Sequence, residues 1–299
     1  PTDWILLRGT YGEGFRVAAM DEMYGNQSES FPSGIDIVGC AAGVAVCTAT
    51  QYRALYGGNP ELGPEESEHY TFGAVIAPLP NLTLQLGFWH TEYSGLITTS
   101  SINREFSAEA AGLTNYVVRY GPGEEGPAGT VRYISLQYNN FAGVEAEGLD
   151  FDISYVIDTE NLGRFDMGIN AAKYTKYIVQ TYPESPLIEY QGQMGLPDLR
   201  INPHIYWGKG DWSAALTGYY MAGQEEEYGS DIYSVGSHME VGLQVNYQLP
   251  WDASITVGAL NLTNEEPEQN SDWYGWEPFD FTLYDTRGRT VYISYSQSL

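Results

Sequence analysis

Basic residues are scarce: 13 Lys and Arg stand against 39 Asp and Glu, giving a formal net charge of −26 over 299 residues. That balance removes the footprint on which nucleic-acid binding depends, because phosphate contacts need clustered Lys and Arg. Long apolar runs are also missing. No stretch of about 18 apolar residues occurs, which excludes helical membrane spans but not membrane strands, whose signal is alternation. Apolar residues at helical spacing are absent over any useful length, so no helical layer is expected to cover a sheet face.

Only two cysteines occur, Cys40 and Cys47, in a Gly/Ala-rich stretch. Their spacing matches no zinc or redox motif, so a local disulfide in an oxidising compartment, the periplasm or cell surface, is expected. His69, His90, His204 and His238 lie on different predicted strands or strand ends, with no His or Cys at ligand spacing. They read as wall positions, and no metal site is expected there. Ser and Asp are scattered without a nucleophile motif, and Gly12-Glu13-Gly14 reads as a strand end because no helix follows it. An enzyme is not expected.

Alternation is what the chain has in quantity. In His238–Leu249, Met239, Val241, Leu243, Val245, Tyr247 and Leu249 share one face, and Glu240, Gly242, Gln244, Asn246 and Gln248 share the other. An apolar face without a second protein layer must be covered by lipid. The same pattern predicts ten strands, at 4–14, 69–77, 82–93, 133–157, 164–177, 199–207, 212–221, 238–249, 254–262 and 289–296. A phase change beside Gly148 predicts a β-bulge, and Pro203 demands a position where its missing N–H is harmless.

Connections alternate between long polar segments and short turns such as Pro78-Leu79-Pro80-Asn81 and Gly208-Lys209-Gly210-Asp211. This asymmetry is expected of an all-β, transmembrane antiparallel barrel wall with long extracellular loops and short periplasmic turns. The long segments, 15–67 and 94–132 among them, read as exposed loops. Their length favours part of a larger wall over a minimal barrel, and the opening at Pro1 without Met or leader reads as the tail of a longer polypeptide.

Aromatic residues gather in the predicted extracellular segments: Tyr52, Tyr56, Tyr182, Tyr190, Tyr228, Tyr233, Trp273, Tyr274 and Trp276. Flat apolar faces with polar tips suit small-molecule or oligosaccharide ligands, and equally suit interfacial girdles or loop packing. Glu225, Glu226, Glu227, Glu265, Glu266, Glu268 and Asp272 offer oxygen ligands that a loop calcium ion would use. The alternative reading is a solvated acidic surface, and no cofactor is otherwise expected.

Five segments resemble TonB-dependent outer-membrane receptors. LRGTYGEGFRVAAMDEMYG from Leu7 is similar to that family's Gly-Phe-Arg-Ala-Pro segment, with Ala18-Ala19 departing from the usual proline. GGNPELGPEESEHYTFG from Gly57 resembles its Gly-Asn-Pro signature, and FAGVEAEGLDFDISY from Phe141 its Gly-Val-Glu strand. GALNLTNEEPEQ from Gly258 and RGRTVYISYSQSL from Arg287 resemble its last two strands, although Leu299 stands where the family has an aromatic residue. The resemblance implies residues 1–299 as the C-terminal part of a barrel of about 22 strands, with the plug domain absent from this sequence. It further implies a bacterial outer-membrane location, contact with outer-membrane lipid, and coupling to the TonB complex through that plug. The ligand would be a scarce nutrient: a ferric siderophore, an oligosaccharide or a vitamin. A passive diffusion channel and a surface structural or adhesive barrel are the competing readings.

Overall fold

The computed structural model describes residues 3–113, 116–180, 186–228, 230–275 and 277–298, with backbone alone for Phe141, Tyr228, Ser271 and Tyr274. Ten strands form one antiparallel meander in which each pairs with the next. They are β1 (Ile5–Arg16), β2 (Glu65–Leu79), β3 (Leu82–Thr98), β4 (Asn139–Thr159), β5 (Gly163–Gln180), β6 (Leu199–Lys209), β7 (Trp212–Met221), β8 (His238–Leu249), β9 (Ala253–Leu260) and β10 (Thr290–Gln297). A two-residue strand, Ile188–Glu189, adds to the top of β5. The meander ends at β1 and β10, and the described residues show no pairing between those two strands.

Register explains why the sheet has two unlike faces. Directly opposed residues share a face, and Leu82, Tyr155, Met167, Ile205, Leu216, Leu243, Ala259 and Val291 form one unbroken apolar row across β3 to β10. A second row joins Leu7, Ala74, Leu86, Phe151, Ala171, Ile201, Tyr220 and Met239. Leu7, Phe72, Leu216 and Ile293 on this face are exposed. On the β7–β8 part of this face, Trp212 stacks near Tyr247 at 4.6 Å on the side of the short turns. Tyr220 lies eight residues further along β7, roughly 27 Å along the strand, the order of an outer-membrane apolar band.

The opposite face is polar and tied together across strands. Asn246 donates to Thr256 Oγ1 at 2.8 Å, Tyr292 donates to Gln244 at 2.9 Å, and His69 and Thr91 share a hydrogen bond. Wide rings lie flat on it where the neighbouring strand supplies glycine. A Cβ on Gly148 would meet the ring of Trp89, and one on Gly258 the ring of Tyr292.

The expected bulge is present: the β4–β5 register shifts between Glu147 and Gly148. Pro203 sits where ladder pairs with β7 stop at Ile201 and resume at His204, and its ring lies over Gly218. The short connections turn as expected, with Gly163 and Gly210 at φ of 88° and 57°, a region glycine enters without Cβ strain.

Two expectations are corrected. The segments 15–67 and 94–132 are not simply exposed loops, because they contain helices α1 (Met20–Tyr24), α2 (Ile37–Ala41) and α3 (Ile102–Ala110) together with short strands. The region 133–157 is not one strand, since Val131–Ser135 belongs to a separate loop sheet and the wall resumes at β4. The reason in both cases is a small core outside the wall. Ala54, Ile102, Phe106, Val117, Ile134 and Leu136 bury one another there.

Candidate functional site

Two groups of loops stand at the end of the wall opposite the short turns. The first joins the β1–β2 and β3–β4 connections. Ser28–Ser30, Ala54–Tyr56, Val131–Ser135 and Val117–Arg119 make a four-stranded sheet, with Ala54–Tyr56 running parallel to Val131–Ser135. Ser101 caps α3 by accepting from Arg104 N–H, and Asp36 caps α2 by accepting from Gly39 N–H at 2.7 Å. Asp36 is fully buried, and Arg119 bridges it at 2.6 Å to Glu109 at 2.7 Å. Burial by itself would raise the Asp36 carboxyl, yet the bonds from Arg119 and Gly39 overcome it and hold the group below its ordinary range. Cys40 and Cys47 are joined in a disulfide beside this cap, as expected.

Tyr52 and Tyr56 belong to this body. Tyr52 meets Phe106 edge-on at 5.0 Å, and both tyrosines pack against the buried cluster. Their rings serve loop packing, and a ligand would reach only what that packing leaves exposed.

The second group interlocks the β5–β6, β7–β8 and β9–β10 connections. Gln224–Tyr228 and Asp231–Val235 form a hairpin, and Ser271–Tyr274 forms a helical turn, α4. Gly236 N–H donates to Glu268 at 2.6 Å and Asn270 Nδ2 donates to Ser234 O at 3.1 Å, fixing the last loop to the hairpin. Glu225 N–H donates to Gly192 O, and Gln224, buried, accepts from Gly195 N–H at 2.6 Å. Tyr284 closes the base edge-on to His238 at 5.1 Å, and burial raises its phenol above the ordinary value.

Between hairpin and α4 lies a cleft of about 640 Å³, lined by Asp231, Ile232, Tyr233, Ser234, Asn270 and Asp272. Tyr233, which lines it, packs against Trp273 with ring centroids 5.2 Å apart. The structure thus unites two of the sequence-predicted aromatics, and Tyr190 is partly buried in the adjoining loop with its N–H bonded to Tyr177 O. Tyr182 and Trp276 lie outside the described residues, as do the side chains of Tyr228 and Tyr274. The acidic residues proposed for calcium are spread out. Glu225, Glu226 and Glu227 alternate along a strand, Glu268 is engaged by Gly236, and no three of the seven converge among the described residues.

A different cluster forms on the apolar face, just beyond its last aromatic row. Tyr11, Tyr70, His90, Glu147 and Lys176 lie in register across β1 to β5, and Glu13, Glu68, Glu92 and Glu145 form the next row outward. His90 Nδ1 is 3.2 Å from Glu147 and 3.9 Å from Glu145, and its side chain is 9% exposed, with the ring stacked on Tyr70 at 4.5 Å. Opposed residues on adjacent strands are near neighbours, so carboxylates facing one another across the strands repel. Sequence reading missed this cluster. No His or Cys stands near His90 in the chain, and only strand register delivers the two glutamates.

The chain matches the family model described as TonB dependent receptor-like, beta-barrel, over residues 1–262. The chain belongs to the TonB-dependent receptor family. Its sheet is accordingly β-barrel wall of that family, with the one apolar and one polar face that a membrane barrel requires. Among solved structures, the siderophore receptor PirA of Acinetobacter baumannii is similar with a TM-score of 0.65 at 16% identity, over 98% of this chain and 39% of PirA. A variant of the ferric enterobactin receptor PfeA of Pseudomonas aeruginosa, in complex with enterobactin, has a TM-score of 0.62 at 15% identity, over 98% of this chain and 38% of PfeA. These likenesses concern the fold. In sequence, a hemin receptor of Yersinia enterocolitica is 32% identical over 119 residues, 38% of this chain and 15% of that receptor. The chain therefore spans about two fifths of the solved receptors it resembles.

Proposed function

We propose that this chain supplies lipid-facing wall and ligand-capturing loops to an outer-membrane receptor that imports an iron-bearing chelate, with TonB acting through a plug domain. The observation that carries this reading is the cleft lined by Tyr233, whose ring packs against Trp273, between two loops at the mouth of a wall whose other face is polar. The Tyr233 ring, backed by Trp273, suits a flat or ring-bearing ligand. The cleft's carboxylates, Asp231 and Asp272, oppose a strongly anionic one, which favours a neutral or cationic chelate over a trianionic catecholate. Binding and passage require no bond-making groups, so the receptor is not an enzyme in this reading.

Hemin is the second reading, favoured by the Yersinia receptor named above and by one from Yersinia pestis, 33% identical over 105 residues. Growth of a receptor-deletion strain, complemented with the full-length gene under iron limitation, separates the two. Ferrioxamine B, a cation, is expected to restore growth, and loss of residues 224–235 to abolish it. Rescue by hemin alone selects the second reading. If no iron chelate restores growth while an oligosaccharide or vitamin enters, the iron assignment is wrong.

A further inference from the structure

We propose that the lipid-facing side of the wall carries a divalent-cation site centred on His90, Glu145 and Glu147 and continued by the Glu92–Glu68–Glu13 row. The ligand atoms of the three central residues lie within 4.8 Å of one another, a span one ion can bridge. The imidazole is held in place before any ion arrives, because its ring is almost wholly buried and stacked on Tyr70. Its Nδ1 faces both carboxylates, which come from one strand two residues apart and so share a face. One nitrogen and two carboxylate oxygens suit a first-row transition-metal cation such as Mn²⁺ or Zn²⁺ better than Ca²⁺, which prefers six or more oxygens.

Charge supplies the second argument. Beyond the triad, a recess of about 680 Å³ is lined by Glu13, Glu66, Glu68 and Glu92 along with Phe15. Among the described residues, the groups that compensate these carboxylates are Lys176, with Nζ 2.7 Å from Glu145 and 3.8 Å from Glu147, and the Tyr11 hydroxyl, whose single proton is shared between Glu13 and Glu68. One ammonium cannot neutralise six carboxylates, and like charges directly opposed across strands repel. Lys176 marks where positive charge is drawn. Its side chain is a third exposed, on a flexible stem, so it competes with an ion and can yield to it. The cluster lies beyond the aromatic row on the lipid side, outside the substrate path, so it is independent of which chelate the receptor imports.

The test titrates Mn²⁺ against the full-length receptor in detergent and reads the free ion by electron paramagnetic resonance. Wild type is expected to bind one equivalent that His90→Ala weakens at least tenfold and that Glu145→Gln/Glu147→Gln removes. Lys176→Met is expected to tighten binding several-fold, because the competing ammonium is gone. A merely structural ion-pair network predicts the reverse for Lys176→Met, namely loss of order without gain of metal. Mn²⁺ affinity unchanged in His90→Ala, or no bound Mn²⁺ in either wild type or Lys176→Met, overturns the proposal. Folding of each variant is read independently from its heat-modifiable migration.

Discussion

Asp36 shows how one side chain holds together two loops far apart in the chain. Its carboxylate accepts from Arg119, 83 residues away, while capping α2. Asp36→Asn leaves Arg119 bonded to Glu109 and the Gly129 carbonyl and breaks one of its two ion pairs, a change that costs on the order of 1–3 kcal/mol. Hydrogen exchange should therefore rise at 117–119 and 131–135 and stay unchanged in β7 and β8. The sign with pH follows from the lowered carboxyl. Stability from this group is present at neutral pH and is lost as pH falls below about 4, the ordinary carboxylate value, toward the folded-state value. Wild-type loop exchange should accordingly rise on acidification, and Asp36→Asn should show a flatter profile. A steeper profile in the variant would contradict the role given to Asp36. Gly148 makes a second point at this scale. Any Cβ there enters the ring of Trp89, which packs edge-on to Tyr174 at 5.5 Å. Gly148→Val should drive Trp89 into the lumen, read as a red shift of its fluorescence against a Trp89→Phe reference.

Elements of the wall were legible because their signal is local. A period of two survives in any short window, so the ten strands and the Gly148 bulge could be read from neighbours alone, with ends misplaced by a few residues. The loop body was not legible for the opposite reason. Phe106, Ile134 and Tyr52 meet from separate connections, and no window contains the core they form. His90 and Glu147, 57 residues apart, fail the same way. Periodicity also makes a prediction that adjacent residues of one strand can test. Leu216 lies in the lipid-facing row and Thr217 beside it points to the lumen. Leu216→Lys should cost about 2–4 kcal/mol in folding into bilayers, and Thr217→Lys much less. Urea titration of the two variants in lipid vesicles checks it. Equal costs would mean that the two faces have been assigned wrongly, or that neither meets lipid.

The whole sheet ends in two edges, twelve residues of β1 and eight of β10, with no pairing between them among the described residues. In hydrocarbon an unpaired backbone N–H or C=O costs several kcal/mol, so a bare edge of this length cannot face acyl chains. Either further strands pair with both edges or the ten strands close on themselves. Closure would give a narrow bore filled largely by side chains. The family's solved members, of which this chain matches about two fifths, favour further strands. The chain expressed alone should therefore give no steady opening in planar bilayers, and cysteines placed on the same face of the two edge strands, at Gly9 and Val291, in the full-length receptor should fail to cross-link. Steady conductance by the chain alone, with efficient cross-linking between β1 and β10, would instead establish a closed ten-strand channel, and the receptor reading would then lose its structural basis.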